Sequence, residues 1–156
     1  VPLDAMLPTA EKLARAGVAI MTNAPGDHPF PPVLALREAG VTVFAGNDDI
    51  RDSWWPYGDG DMLERAMMIG YRSGFYTDDE LACAFDLVTA APAKALGLAD
   101  YGLRVGASAD LIVLDADHAQ MAVVARPVRR AVYKDGRVVA RDGVFIGVSP
   151  SPPPPA

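Results

Sequence analysis

Residues 41–57 read VTVFAGNDDIRDSWWPY, an apolar run that stops at a glycine and turns into acids and then tryptophans. Val41, Thr42, Val43, Phe44 and Ala45 are β-branched, aromatic or small, and nearly continuous in apolarity. That is the pattern of a strand covered on both faces, as in a parallel sheet. Gly46 ends the run, and Asn47, Asp48 and Asp49 follow at the carboxyl end of the strand, where parallel α/β proteins place their chemistry. Two adjacent carboxylates there are unfavourable unless a metal, a cation or a shared proton compensates them. Asn and Asp also build turns and helix caps, so these residues alone balance evenly between a turn and a site. Trp54, Trp55 and Tyr57 tip the balance, since aromatic walls beside a few polar groups line small-molecule pockets.

Outward from this stretch, helices and strands alternate. Residues 8–16 read as a helix with Pro8 in its first turn and Gly17 at its stop, residues 18–21 as a short strand, and residues 24–32, APGDHPFPP, as an irregular loop. Residues 33–39 form a short helix closed by Gly40, ahead of the strand at 41–45. Short turns through Gly17 and Gly40 between helix and strand predict a parallel sheet with crossover helices. Met62, Leu63, Ala66, Met67 and Gly70 keep a helical stripe behind Asp59 and Asp61, acids suited to a helix N-terminus. Thr77 and Glu80 make a capping-box pattern ahead of Leu81, Ala84, Phe85 and Val88, and residues 89–96 give a further helix ending at Gly97. From Ala109 the pattern turns to β: a strand at 109–115, then strands at 128–134 and 138–141 around the hairpin signal Asp135-Gly136. Asp142-Gly143 precedes a last apolar patch at 144–146, and the tail SPSPPPPA is polyproline-like.

The 156 residues suffice for a domain with its own core. A net charge of −6 and a pI near 4.7 argue against a nucleic-acid backbone or an anionic membrane as partner. No apolar run approaches a membrane span and no basic-then-apolar leader is evident, so the cytoplasm is the expected compartment. Cys83, the single cysteine, excludes an internal disulfide or a Cys-rich zinc site and is expected to be an inert buried thiol. The chain opens at Val1, leading directly into a helix, and is expected to be a piece of something longer.

Three segments, FAGNDDIRDSWWPYGDGDML, VTAAPAKALGL, and YGLRVGASADLIVLDAD followed by VYKDGRVV, resemble the carboxy-terminal portion of the amidohydrolase superfamily, and more closely its cytosine deaminase-like branch. The ADLIVLD element marks the superfamily, and the strand-end Asp pair with a following Trp points to the branch. The resemblance implies the C-terminal part of a (β/α)8 TIM barrel plus part of a small β-sandwich domain. Residues 1–100 would be the last strands and helices of the barrel, 101–148 the β-domain segment and 149–156 a disordered tail. It implies a divalent metal ion, zinc or iron, held mainly by histidines of earlier strands. Asp48 matches the acid that ligates the metal and takes a proton from its water, and Asp49 and Trp54 match the substrate contacts. The implied reaction is hydrolytic deamination of a cytosine-like cyclic amidine.

The metal histidines of that family have no counterpart, since the chain's two histidines are His28 and His118. His28 is expected to be a solvent-exposed loop residue and His118 a surface residue. A single carboxylate cannot hold a catalytic metal, which takes about three protein ligands, and a full barrel takes about 250 residues. The chain alone is therefore expected to be incomplete. Its expected partners are a pyrimidine-like small molecule and the missing N-terminal barrel portion, with assembly into a homo-oligomer through the uncovered sheet as the alternative. An amidohydrolase acting on a cyclic amide or N-acyl substrate, and a noncatalytic domain, are the competing readings. A calcium loop through Asp48, Asp49, Asp52, Asp59 and Asp61 ranks low, because the EF-hand spacing and glycine are absent. Asp110 is read as a turn residue of the β-domain, with no catalytic role.

Overall fold

A computed structural model of the chain describes residues 3–24 and 26–147. It divides into two compact units, one running to Ala99 and including His118–Arg126, the other made of Asp100–Asp117 and the chain from Pro127 onward. The proline-rich tail, residues 149–156, lies outside the described residues.

The first unit is α/β. Helix α1 (Leu3–Arg15) leads to strand β1 (Ile20–Thr22), then α2 (Val33–Glu38) and strand β2 (Val43–Ala45), followed by α3 (Met62–Ser73), α4 (Asp78–Asp86) and α5 (Ala90–Ala95). β1 and β2 pair in parallel, with Ile20 opposite Val43 and Thr22 opposite Ala45. The parallel pairing and crossover helix follow from the two short αβ turns. Gly17 and Gly40 both adopt positive φ, 67° and 87°. In each turn the glycine N–H bonds the carbonyl three residues back and the next N–H reaches five back: Val18 to Leu13 and Val41 to Leu36, both at 3.0 Å. This Schellman closure requires a left-handed residue, which glycine supplies without a Cβ clash.

The core joins Ala10 of α1, Val33 and Leu36 of α2, Val43 and Ala45 of β2, Ala66 and Ile69 of α3, Ala84 of α4, and Leu87. Two differences from the sequence expectation concern α1 and the lengths of β1 and β2. The helix begins at Leu3, so Pro8 lies inside it rather than in its first turn. The helix carries the lost backbone bond because Met6, Ala10, Leu13 and Ala14 are seated in or against the core. Both strands are shorter than the apolar runs predict, because ladder pairing exists only where the two run side by side.

α4 has the predicted capping box: Thr77 accepts from the Glu80 N–H, and Glu80 accepts from the N–H groups of Thr77 and Tyr76. Those two N–H donors hold the Glu80 carboxyl below its usual range. Thr77→Ala is expected to destabilise the protein by about 1 kcal/mol, read as a lowered urea midpoint; an unchanged midpoint would show that the cap is dispensable.

The second unit is an antiparallel meander of β3 (Leu111–Leu114), β4 (Arg129–Lys134), β5 (Arg137–Arg141) and β6 (Val144–Phe145). Asp135-Gly136 and Asp142-Gly143 both take positive φ at both residues, the two-residue hairpin geometry expected from Asp-Gly. Asp110 accepts from the Asp135 N–H at 2.8 Å and pairs with Lys134, so it clamps the β4–β5 turn, as its reading as a structural residue requires. That N–H first, and Lys134 second, depress the Asp110 carboxyl below its ordinary 3.8. Asp110 raises Lys134 above its ordinary 10.5. A depressed acid contributes stability above its unfolded value that is lost as pH falls through the folded one. A raised amine contributes stability below its unfolded value that is lost as pH rises through the folded one. Asp110→Asn is therefore expected to lower the unfolding midpoint at pH 7, with the gap to the parent closing below pH 3.8; a gap independent of pH would contradict the charge clamp.

The sequence reading placed residues 119–125 within the 101–148 β-domain segment and gave them no element; they form α6 (Ala119–Ala125), which groups with the first unit because its contacts are with α3 and α4. His118 caps it through Nδ1, which accepts from the Met121 N–H at 3.3 Å, and Arg126 closes it with φ 46°. A histidine cap and an arginine at a left-handed stop are not the residues that announce a helix.

Candidate active site

The two parallel strands end side by side, and the polar residues that follow them meet. Gly46 N–H bonds the Thr22 carbonyl at 3.1 Å, continuing the register one step beyond the ladder. Asn23 follows β1, and its Nδ2 donates to Asp48 Oδ2 at 3.2 Å. Asp48 is exposed and sits at φ 61°, a left-handed conformation that Asp and Asn tolerate better than most residues. The turn aims one carboxylate away from the strand while the neighbouring strand end holds it.

Beneath this pair lies Arg65 of α3, only 5% exposed. Its Nη1 donates to the Asn23 carbonyl at 2.6 Å, and its Nε and Nη2 donate to Asn47 Oδ1 at 3.3 and 3.2 Å. Asn47 Nδ2 in turn contacts Met62 Sδ at 3.1 Å. Asn23 and Arg65 had no part in the site as read from the sequence, and Asn47 was read there only as one of the polar residues at the strand end. Arg65 had one available signal: it falls three residues after Met62 and four before Ile69, a charge inside the apolar stripe of α3.

The loop after Asp49 is built by Asp52, whose Oδ1 accepts from the N–H groups of Trp54 at 2.9 Å and Trp55 at 2.7 Å. The Trp55 N–H above all lowers the Asp52 carboxyl from its usual range. The charge of Asp52, with burial and Asp48 adding, raises the neighbouring Asp49 carboxyl. Trp55 packs edge-on to Tyr57, ring centres 5.4 Å apart, and lies against Gly26, where an added Cβ would sit 3.2 Å from its ring. Trp54 is 85% exposed. So Trp55 builds the loop and Trp54 stands free of it.

The remaining acids have local structural roles. Asp59 accepts from the Asp61 N–H, and Asp61 caps α3 through the N–H groups of Leu63 and Glu64. His28 is exposed and 3.4 Å from Asp27, and the exposed His118 caps α6. Burial pushes the Cys83 thiol up, away from reactivity. An open cleft of about 370 Å³ lies between residues 30–35 and residues 72, 73 and 75 of α3 and its C-terminal turn; Asp48, Asp49 and Trp54 do not line it.

An exposed carboxylate such as that of Asp48 has the chemistry of a single ligand to a divalent metal. Among the described residues no three His, Cys, Asp or Glu side chains converge to hold one. The described residues therefore do not by themselves make a whole metal site. No helix among the described residues is long and apolar enough to cross a membrane.

The profile of the Amidohydrolase family matches residues 2–140. The N-isopropylammelide isopropyl amidohydrolase of Pseudomonas sp. (strain ADP) is 33% identical over 145 residues, covering 92% of this chain and 35% of that protein. The crystal structure of N-isopropylammelide isopropylaminohydrolase from Burkholderia multivorans superposes with a TM-score of 0.90 at 47% identity, over 94% of this chain and 37% of that one. The 5-methylcytosine deaminase of Klebsiella pneumoniae, liganded with phosphonocytosine, gives 0.76 at 27% identity, over 94% of this chain and 39% of that one. The chain thus spans little more than a third of the length of the relatives it matches.

Proposed function

The chain belongs to the amidohydrolase family, and on that premise we propose that it is the C-terminal portion of a metal-dependent hydrolase of non-peptide C–N bonds. The substrate class is a flat cyclic amidine of the cytosine type. Residues up to about 100, together with α6, supply the last two strands and neighbouring helices of a (β/α)8 barrel, and the remaining segments on either side of α6 form part of its β-domain.

The observation that carries this reading is the Asp48 carboxylate, exposed at the end of a parallel strand and held by Asn23 from the adjacent strand end. A divalent metal, zinc or iron, with its other ligands from residues outside this chain, would supply a water of lowered pKa. Asp48 would be one of the residues that hold the metal, and its carboxylate would accept the proton of the attacking water and pass it to the departing nitrogen. Asp49 accepts from a ring N–H or exocyclic amine, and Trp54, free of the loop it follows, stacks on the ring. The exposure of Met21 in β1 fits a strand whose further neighbours belong to the missing barrel portion.

A second leaving group is favoured by the similarity to proteins named for N-isopropylammelide, one of them at 47% identity: an N-alkylamine in place of ammonia. The test is amine release by the protein with its barrel complete and its metal content measured. Ammonia from cytosine supports the deaminase reading, isopropylamine from an N-isopropylamino azine supports the second, and neither amine from a metal-loaded protein rejects both.

A further inference from the structure

We propose that Arg65 is the positioning residue of this site, a buried guanidinium that ties the two strand ends together and so fixes the Asp48 carboxylate. The inference rests on the reading of Asp48 as the working acid. A buried cation is costly unless its donors are satisfied. Among the described residues no carboxylate pairs with Arg65; its partners are the neutral oxygens of Asn23 and Asn47 and the sulfur of Met68. A charge kept in the interior without an anionic partner is not explained by ion-pair stability, but it is explained by reach. Its planar fork reaches two oxygens on two different strand ends at once.

Two routes lead from that fork to one carboxylate. Through the chain, Asn47 is held at both ends of its amide, by Arg65 and by Met62, and it immediately precedes Asp48, whose left-handed turn is thereby anchored. Through space, the Asn23 carbonyl is held by Arg65 while its side chain donates to Asp48 Oδ2. Lysine, a point charge without a fork, cannot span both oxygens.

The test is carried out in the protein with its barrel complete and metal loaded. Arg65→Met and Arg65→Lys are each expected to lower kcat by ~100-fold, the scale of a small misplacement of a reacting group, with KM unchanged. Asn47→Leu should do the same, and the Arg65→Met/Asn47→Leu double variant should be no worse than either single one, as for residues acting through one connection. The side-chain amide NMR signals of Asn23 and Asn47 should move in every Arg65 variant. If Arg65→Met does not fold, Arg65→Lys and Asn47→Leu decide by the same criteria. An unchanged kcat in folded variants, or additive losses, overturns the proposal. If the parent protein releases no amine, the functional reading has failed by itself. The amide signals then decide the connection: signals that move with Arg65 and, for Asn23, also with Asp48→Asn support it, and signals that stay overturn it.

Discussion

Asp48→Asn is expected to lower amine release by about 10³-fold or more, within the range that general acid–base groups supply, while leaving the protein as stable as its parent. The separation of the two effects follows from the local geometry. At φ 61° the backbone of residue 48 favours Asp or Asn over other non-glycine residues, so the substitution introduces no strain that the parent lacks. Its side-chain oxygen can still accept from Asn23 Nδ2, the bond that holds the parent carboxylate at 3.2 Å. What is lost is the charge and the ability to take a proton. Asp48→Ala would confuse the two, because it would also leave Asn23 without its acceptor and place a less tolerant residue in the left-handed region. The measurement is steady-state turnover beside a urea unfolding curve. A variant within tenfold of the parent would remove Asp48 from the chemistry.

The largest loss of stability is expected from Leu87→Ala, about 2–5 kcal/mol, the range for truncating a buried leucine. Leu87 is fully buried just after α4 and belongs to the core with Val33, Val43, Ala45, Ile69 and Ala84. Its carbonyl accepts from the Ala45 N–H at 2.8 Å, so its backbone is tied to the last residue of β2. An alanine keeps that bond but leaves a void behind the strand that carries Asp48, which neighbours fixed in helices and strand cannot fill. Equilibrium unfolding in urea reads the loss directly; a change below about 1 kcal/mol would mean that the site collapses around the smaller side chain.

Several features of the fold were legible because their cause is local. The capping box of Thr77 and Glu80, the glycine stops at Gly17 and Gly40, and the Asp135-Gly136 hairpin each depend on a few adjacent residues whose preferred dihedrals are the ones adopted. The helix α6 was not legible, since its ends are a histidine and an arginine that gain those roles only in place. The extent of α1 was missed because proline's penalty is local while the burial of Met6, Ala10 and Leu13 that offsets it is not.

The candidate site divides in the same way. The sequence itself placed Asp48 and Asp49 at the end of a β run and marked the family through the ADLIVLD element. Those inferences need only a near-continuous apolar run, a strand-ending glycine and a motif. Apart from the resemblance that picked out Trp54, residue type alone could not distinguish Trp54 from Trp55, because which ring packs depends on Gly26 lying opposite. Nor could it reveal that Asn23 holds Asp48 across 25 residues of chain, or that Arg65 reaches 42 residues back to the Asn23 carbonyl. Residue type and spacing along the chain fix where a carboxylate can stand; only the parallel pairing of β1 with β2, and the packing of α3 beneath them, decide what holds it there, because hydrogen bonds between distant segments exist only once burial has brought those segments together.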